Sequence, residues 1–496
     1  MNTLRTGTTA TNIAGRCGVK ILTAAEIRSA EANIAAHLPE HALIERAATA
    51  ATRAIAAFTG RMSTLVLCGP GNSGADGHAV ATRLAKAGWP VRVAALDEPS
   101  TPAARVMRAR WDGKVEALAS TVPAPLLVDA LFGIGLTRAL APEVADRLAE
   151  LAASARVRIA LDVPSGVDAN GGALLGARVG FDLTVAFGAL KPAHVLQPAA
   201  SLCGRVVVAD IGLSAADARL CLNKPPAPPA FGAWAHKAQR GHVIVLGGGH
   251  AQGGAARLSA RAALRCGAGL VTLVVPTDAL AENAARLDAV MLRALDDAGG
   301  LGALLGGRRV DALALGPGLG TDGRARALVE AVLATDRPLV LDADVFTLFQ
   351  GDPDALIRHA PTVLTPHEGE FARLFGDLPG SKVDRARAGA ERTGAVLLLK
   401  GADTVIAHPD GLAAINPSAA PWLATAGSGD TLTGVIAARL GGGEDAFTAA
   451  CAGAWLHARA GERAGPGMTA DDLPELLGDA LRALASGTGA GDMHPR

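Results

Sequence analysis

The feature that most constrains the fold is a repeated alternation of short apolar runs and Ala-rich helical stretches. In the first half the apolar runs are residues 63–68, 89–94, 126–129, 157–163 and 183–187. In the second they are residues 242–247, 270–275, 312–315, 338–341, 362–364 and 395–400. Strands separated by helices pair in parallel, with the helices packed on the sheet faces. The fold class is therefore α/β, and each half reads as a three-layer α/β/α domain. The halves do not repeat each other, so two different α/β domains are expected.

The break between them is Lys224-Pro225-Pro226-Ala227-Pro228-Pro229. Such a run of prolines excludes helix and central strand and makes a stiff spacer. At about 150 residues per domain, the 496-residue length would suggest about three domains. The proline break makes them two large ones. The expected division is a flexible tail over residues 1–20, a first domain over 21–223, a linker over 224–229 and a second domain over 230–490. A transit peptide is the alternative for the tail, which carries Arg5, Arg16 and Lys20 and no acid.

Composition removes several classes of partner. Lys+Arg and Asp+Glu each number 47, so no bulk positive charge is available to hold nucleic acid. Tyr is absent and Trp numbers 5, which leaves little aromatic surface for stacking bases or glycans. A 50% hydrophobic content argues against disorder. Cys17, Cys68, Cys203, Cys221, Cys266 and Cys451 include no C-x-x-C pair, so neither a zinc site nor a redox dithiol is signalled. Scattered cysteines suit a reducing compartment. No run of apolar residues is long enough to span a bilayer. A cytoplasmic location without a membrane or nucleic-acid partner is expected.

Three strand ends in the first half carry polar groups. Cys68-Gly69-Pro70-Gly71-Asn72-Ser73-Gly74-Ala75-Asp76-Gly77 follows one strand and opens a helix. A Gly-rich turn of this kind exposes N–H groups at a positive helix end and suits phosphate. It is not a P-loop, because no lysine in the chain is followed by Ser or Thr. Asp129 ends a second strand, ahead of Ala130-Leu131-Phe132-Gly133-Ile134-Gly135, and Asp162 a third, ahead of Val163-Pro164-Ser165-Gly166. In open parallel sheets the ligand crevice lies at the carboxyl ends of strands, so the three converge on one pocket.

These loops, in this order, resemble the signature loops of the NAD(P)H-hydrate epimerase domain, the YjeF N-terminal family, whose fold is Rossmann-like. The resemblance covers residues 21–213. It implies that Asn72, Ser73, Gly74, Ala75 and Asp76 contact the hydrated dinucleotide. Gly133, Ile134, Gly135, Leu136, Thr137, Arg138 and Ala139 would join them. It implies Asp162 as the acid/base residue near the reacting ring, and Ser73, Asp129 and Ser165 as ligands of a potassium ion. Ser73 stands where the family usually has Asn, and Ala75 where it usually has Gly. Lys191 is open between a pyrophosphate contact and a solvated surface residue.

In the second half, Ala426-Gly427-Ser428-Gly429-Asp430-Thr431 opens another helix and offers consecutive N–H groups to an anion. This loop resembles the G-x-G-D motif of ribokinase-like kinases. With the stretches 262–271, 315–320, 341–344, 364–371 and 399–404, it is similar to the ADP- or ATP-dependent NAD(P)H-hydrate dehydratase domain. The resemblance covers residues 233–484. It implies Asp430 as catalytic base and Ala255, Gly318, His367 and Asp430 as hydrate contacts. Lys400, Gly401, Ala402, Asp403, Thr404 and Gly429 would contact the nucleotide.

Together the resemblances imply a bifunctional repair enzyme. It would interconvert the R and S hydrates of NAD(P)H and dehydrate the S form, with ADP as phosphoryl donor and AMP and phosphate as by-products. The implied cofactors are K⁺ in the first domain and Mg²⁺ with ADP in the second, in a homo-oligomer. The competing reading is a small-molecule kinase with a regulatory first domain.

Overall fold

The computed structural model describes residues 18–176, 178–228, 232–306, 309–417 and 420–486. Most of the expected tail, Pro229 of the linker and residues 487–490 lie outside them. The chain divides after Leu220 into two compact units.

The first unit opens with β1 (Lys20–Ile21) and the helix Ala24–Ala35. That helix starts where Thr23 and Glu26 cap each other: the Glu26 N–H donates to Thr23 Oγ1 at 3.3 Å and the Thr23 N–H to Glu26 Oε2 at 2.7 Å. A sheet follows, made of β2 (Thr64–Cys68), β3 (Val91–Ala95), β4 (Val115–Ala117), β5 (Leu126–Ala130), β6 (Val157–Leu161), β7 (Leu183–Phe187) and β8 (Arg205–Ala209). Its order is β4-β3-β2-β5-β6-β7-β8, and every pairing is parallel. Successive side chains of β2 enter opposite cores: Val66 and Cys68 pack in one buried cluster, Leu65 and Leu67 in another. Both faces are covered, which is why these strands read as continuous apolar runs. The chain leaves β2 for β3 and β4 on one side and returns to β5 on the other. That reversal is the topological switch point, where the strand ends open a crevice.

The second unit begins within β9 (Leu220–Leu222), and the Asn223 N–H bonds the Ile415 carbonyl at 2.8 Å. Its parallel strands are β10 (His242–Leu246), β11 (Leu270–Val275), β12 (Met291–Ala294), β13 (Ala312–Leu315), β14 (Leu339–Leu341), β15 (Thr362–Leu364) and β16 (Val396–Leu399). An antiparallel pair, β17 (Asp403–Ala407) and β18 (Ala413–Pro417), extends the edge. The order runs β9-β18-β17-β16-β15-β14-β13-β10-β11-β12, with its switch point between β10 and β13. The helices Gly253–Arg265 and Ser428–Gly441 pack in close contact beneath it. Gly434 makes this possible, because a Cβ there would stand 2.0 Å from the Ser259 carbonyl oxygen.

Candidate active sites

The first site forms where the loops after β2, β5 and β6 meet. Ser73 lies in the first turn of the helix Asn72–Lys86, and its hydroxyl reaches the β5 loop. A Cβ at Gly133 would stand 2.6 Å from Ser73 Oγ and 3.9 Å from Asp162 Oδ2, so a side chain there would displace the Ser73 hydroxyl from the meeting point of the three loops. Ala75, in place of the family glycine, is buried at an ordinary helical position and needs no left-handed backbone. Asn72 and Asp76 face a cleft of about 370 Å³ that Glu31 and Phe187 also line. Gly135, Thr137, Arg138 and Ala139 are exposed. Leu136 packs in the hydrophobic core, so only its main chain is available to a ligand.

Asp162 is held in a left-handed conformation, φ 66°, which costs an L-residue roughly 1–2 kcal/mol. Such strain persists only where the surroundings fix it. Here the Asp162 N–H donates to the Val185 carbonyl at 2.8 Å. Its Oδ1 accepts from the Phe187 N–H at 3.0 Å and from Lys191 Nζ in an ion pair. Lys191 is neither a surface residue nor free for a pyrophosphate. It is 0% exposed, and it also donates to the Phe187 carbonyl at 2.7 Å. His194 completes the set. Its Nδ1 accepts from the Lys191 N–H at 2.9 Å, so its proton sits on Nε2, which donates to the Asp162 carbonyl at 2.7 Å. Burial pushes the His194 pKa down to about 4, so the ring stays neutral.

Asp129 and Ser165 lie in contact beside this cluster. Asp129 Oδ1 accepts from Ser165 Oγ at 2.8 Å and from the Leu131 N–H at 3.1 Å, and Oδ2 accepts from the Ser165 N–H at 2.8 Å. Asp129 is 0% exposed, and burial raises its pKa against those three hydrogen bonds. It forms no salt bridge among the described residues. A buried carboxylate without a cationic side chain is costly, and a monovalent cation fits that deficit.

The second site is a cavity of about 580 Å³ at the carboxyl edge of the second sheet. Asp342, His367, Glu370, Lys400, Gly401, Ala402, Thr404, Gly429 and Asp430 are among its lining residues. The helix Ser428–Gly441 aims its N-terminus at it from Gly427, a left-handed cap at φ 88°. Lys400 Nζ donates to Asp342 Oδ1 at 2.7 Å and stands 3.7 Å from Glu370 Oε2. Burial works against its charge, yet Asp342 and Glu370 hold its pKa above the ordinary range. Thr433 Oγ1 donates to Asp342 Oδ2 at 2.6 Å, which fixes that carboxylate. A Cβ at Gly429 would stand 3.1 Å from Lys400 Nζ, so this glycine keeps the helix start open to the ammonium. Burial, and then Asp342, raises Asp430 to about 6.

His367 caps the helix Glu368–Phe375: its Nδ1 accepts from the Gly369 N–H at 3.0 Å and the Glu370 N–H at 3.2 Å. The proton therefore sits on Nε2, which stands 3.5 Å from Glu370 Oε1 at the cavity wall. Asp403 does not line the cavity; its carboxylate pairs with Lys382 Nζ at 2.7 Å. Ala255 and Gly318 face each other at the switch point, since a Cβ at Gly318 would stand 3.4 Å from Ala255 Cβ. Neither lines the 580 Å³ cavity.

Comparison with known proteins places the chain in a family. The model for NAD(P)H-hydrate dehydratase matches residues 243–482, and the YjeF-related protein N-terminus matches residues 40–193. A bifunctional NAD(P)H-hydrate repair enzyme of Mycobacterium leprae is 36% identical over 479 residues, covering 93% of this chain and 98% of that protein. The chain belongs to the bifunctional NAD(P)H-hydrate repair enzyme family. The Escherichia coli repair enzyme is 34% identical over 447 residues, covering 83% of this chain and 84% of that one. A Bacillus subtilis structure described as ADP/ATP-dependent NAD(P)H-hydrate dehydratase, co-crystallised with ATP/Mg²⁺, is 28% identical with a TM-score of 0.47. It covers 53% of this chain and 100% of that chain. No helix among the described residues is long and apolar enough to cross a membrane.

For this repair-enzyme chain the sequence did not assign the residues that hold the acids in place to that role. Lys191 and His194 fix Asp162, and Glu31 lines the first cleft. Asp342, Glu370, Thr433 and His457 surround Asp430 and Lys400. Asp342 was the most findable, as the acid that ends the apolar run at 338–341. His457 had no local signal: it lies within the long helix Ala446–Ala464 and bonds the Ser428 carbonyl at 2.9 Å.

Proposed function

We propose that this chain repairs hydrated NAD(P)H in two steps. Residues 21–223 interconvert the R and S hydrates. Residues 230–490 return the S hydrate to NAD(P)H at the expense of ADP, giving AMP and phosphate, and residues 224–229 link the two. The observation that carries the second step is the grouping of Asp430, Lys400 and Gly429 at one helix start, in one cavity.

In that cavity Asp430 accepts the proton of the ring hydroxyl as its oxygen takes up the phosphoryl group. The helix N–H groups and Lys400 hold the charge on the transferred group. Phosphate then leaves C6 as the neighbouring carbon loses a proton, which restores the ring double bond. Ala255, Gly318 and His367 are the proposed hydrate contacts, and Lys400, Gly401, Ala402 and Thr404 with Gly429 the nucleotide contacts, while Asp403 acts by pairing with Lys382. Asp342, Glu370 and Asp430 outnumber the one lysine in the wall, so an anionic nucleotide fits there with a divalent cation. Glu370 would hold Mg²⁺, which neutralises phosphate charge. In the first unit Ser73, Asp129 and Ser165 would hold K⁺, which offsets the buried carboxylate. Asn72–Asp76 and Gly133–Ala139 are the proposed hydrate contacts there. A cytoplasmic homo-oligomer remains part of the reading.

The pH profile tests the second step. Asp430 works as a base only when ionised, and its pKa lies near 6. Protonation as pH falls through 6 should therefore lower kcat about tenfold per pH unit. An ordinary aspartate would hold activity down to about pH 4. Dehydration of the S hydrate that stays flat to pH 4.5 would remove Asp430 from the base role.

A further inference from the structure

The first site holds two carboxyl groups in unlike settings. Asp162 is spent on Lys191 and the Phe187 N–H. Asp76 lies one turn inside the helix Asn72–Lys86 and lines the same cleft as Asn72 and Phe187, and its side chain has no hydrogen bond or ion pair with another described residue. We propose that Asp76 is the general acid of the epimerisation and that the Asp162 carboxylate is its base. This rests on the reading of the first unit as a hydrate epimerase.

The setting supports the division of labour. The charged groups that act on Asp76 are Asp162 and Glu31, which oppose its ionisation, and Lys191, which favours it. Arg28 and Lys191 act in turn on Glu31. Burial, Asp162 and Glu31 together raise the Asp76 pKa well above its ordinary value, with burial the largest influence. One lysine serves this group of acids, and the ion pair commits it to Asp162. An acid without a partner in the cleft and a carboxylate held by a lysine and a backbone N–H are suited to serve as donor and acceptor.

The chemistry balances without any further reactant. Asp76 gives its proton to the C6 hydroxyl, and the C–O bond breaks to release water. The ring nitrogen lone pair forms the C6–N double bond. Water then adds to the opposite face of C6, the N–C6 double bond returns its electron pair to nitrogen, and Asp162 takes the proton of the incoming water. The proton passes back to Asp76 through solvent in the cleft, and the reverse epimerisation uses the same pair with roles exchanged. A weak base suffices in the second half, because the C6 centre is electron-poor.

The test is R-to-S exchange of NADHX in the full chain, followed by chromatography after subtraction of the enzyme-free rate. Wild-type exchange establishes the epimerase reading itself, and its absence would remove that reading rather than the role of Asp76. Given wild-type exchange, Asp76→Asn should lose about 10²–10⁴-fold in kcat with KM little changed. Asp76→Glu should recover part of that loss. Dehydration of the S hydrate by the same Asp76→Asn chain should match wild type, which shows that the protein is folded. The alkaline limb of the wild-type kcat profile should move in Asp76→Glu. An Asp76→Asn protein that keeps kcat and only raises KM would overturn the proposal, as would a comparable loss in Glu31→Gln.

Discussion

Asp430→Asn is expected to lower dehydration of the S hydrate by about 10²–10⁴-fold, the range for removal of a general base. The substitution keeps size and shape. It leaves the Asp342–Lys400 pair intact, because that pair is held by Thr433 and the Ala343 N–H rather than by Asp430. Nucleotide affinity should therefore change little, and the loss should fall on kcat. R-to-S exchange by the same protein should run at the wild-type rate, since no residue of the first site is altered. Dehydration kinetics with ADP and purified S hydrate check the first expectation; unchanged turnover would contradict it.

Lys191→Met should produce the largest stability effect in the first unit. The substitution leaves the Asp162 carboxylate, 14% exposed, without its cation. Breaking a buried ion pair from one side typically costs about 3–5 kcal/mol. For a unit of this size that is a fall in Tm on the order of 10 °C. Epimerisation should fail as well, because Asp162 loses both its partner and the contact that sustains its left-handed backbone. Removing both charges, in Lys191→Met with Asp162→Asn, should restore most of the stability but not the activity. Calorimetry of the two variants separates these outcomes. A single variant that melts with wild type would show that the pair contributes nothing.

The central strands were legible because burial on both faces writes them as unbroken apolar runs. Residues 126–129 and 183–187 coincide with β5 and β7 almost to the residue. The edges were not legible. β4 and β12 are short and half exposed, with Glu116 and Arg293 among their few residues, so they carry little apolar signal. β17 begins at Asp403, inside a stretch read only as a nucleotide loop, and its partner β18 follows a Pro-Asp-Gly turn. Asp129 and Asp162 were legible because each ends a strand, and Asp430 because it opens a helix behind a Gly-rich turn. Their partners were not: Lys191 meets Asp162 across 29 residues, and Thr433 meets Asp342 across 91. Nothing local distinguishes a lysine that will be buried from one that will be solvated. The ion pair depends on where β7 lays the chain, which is a property of the sheet order rather than of the segment.

The most direct measurement of the whole account is the recovery of NADH from a mixture of R and S NADHX by the purified full chain with ADP, Mg²⁺ and K⁺. NADH absorbance should return for both epimers, AMP and phosphate should appear in equal amount, and Asp430→Asn should recover NADH about 10²–10⁴-fold more slowly. A stable phosphorylated product without NADH, or recovery that stops when the S epimer alone is consumed, would contradict it.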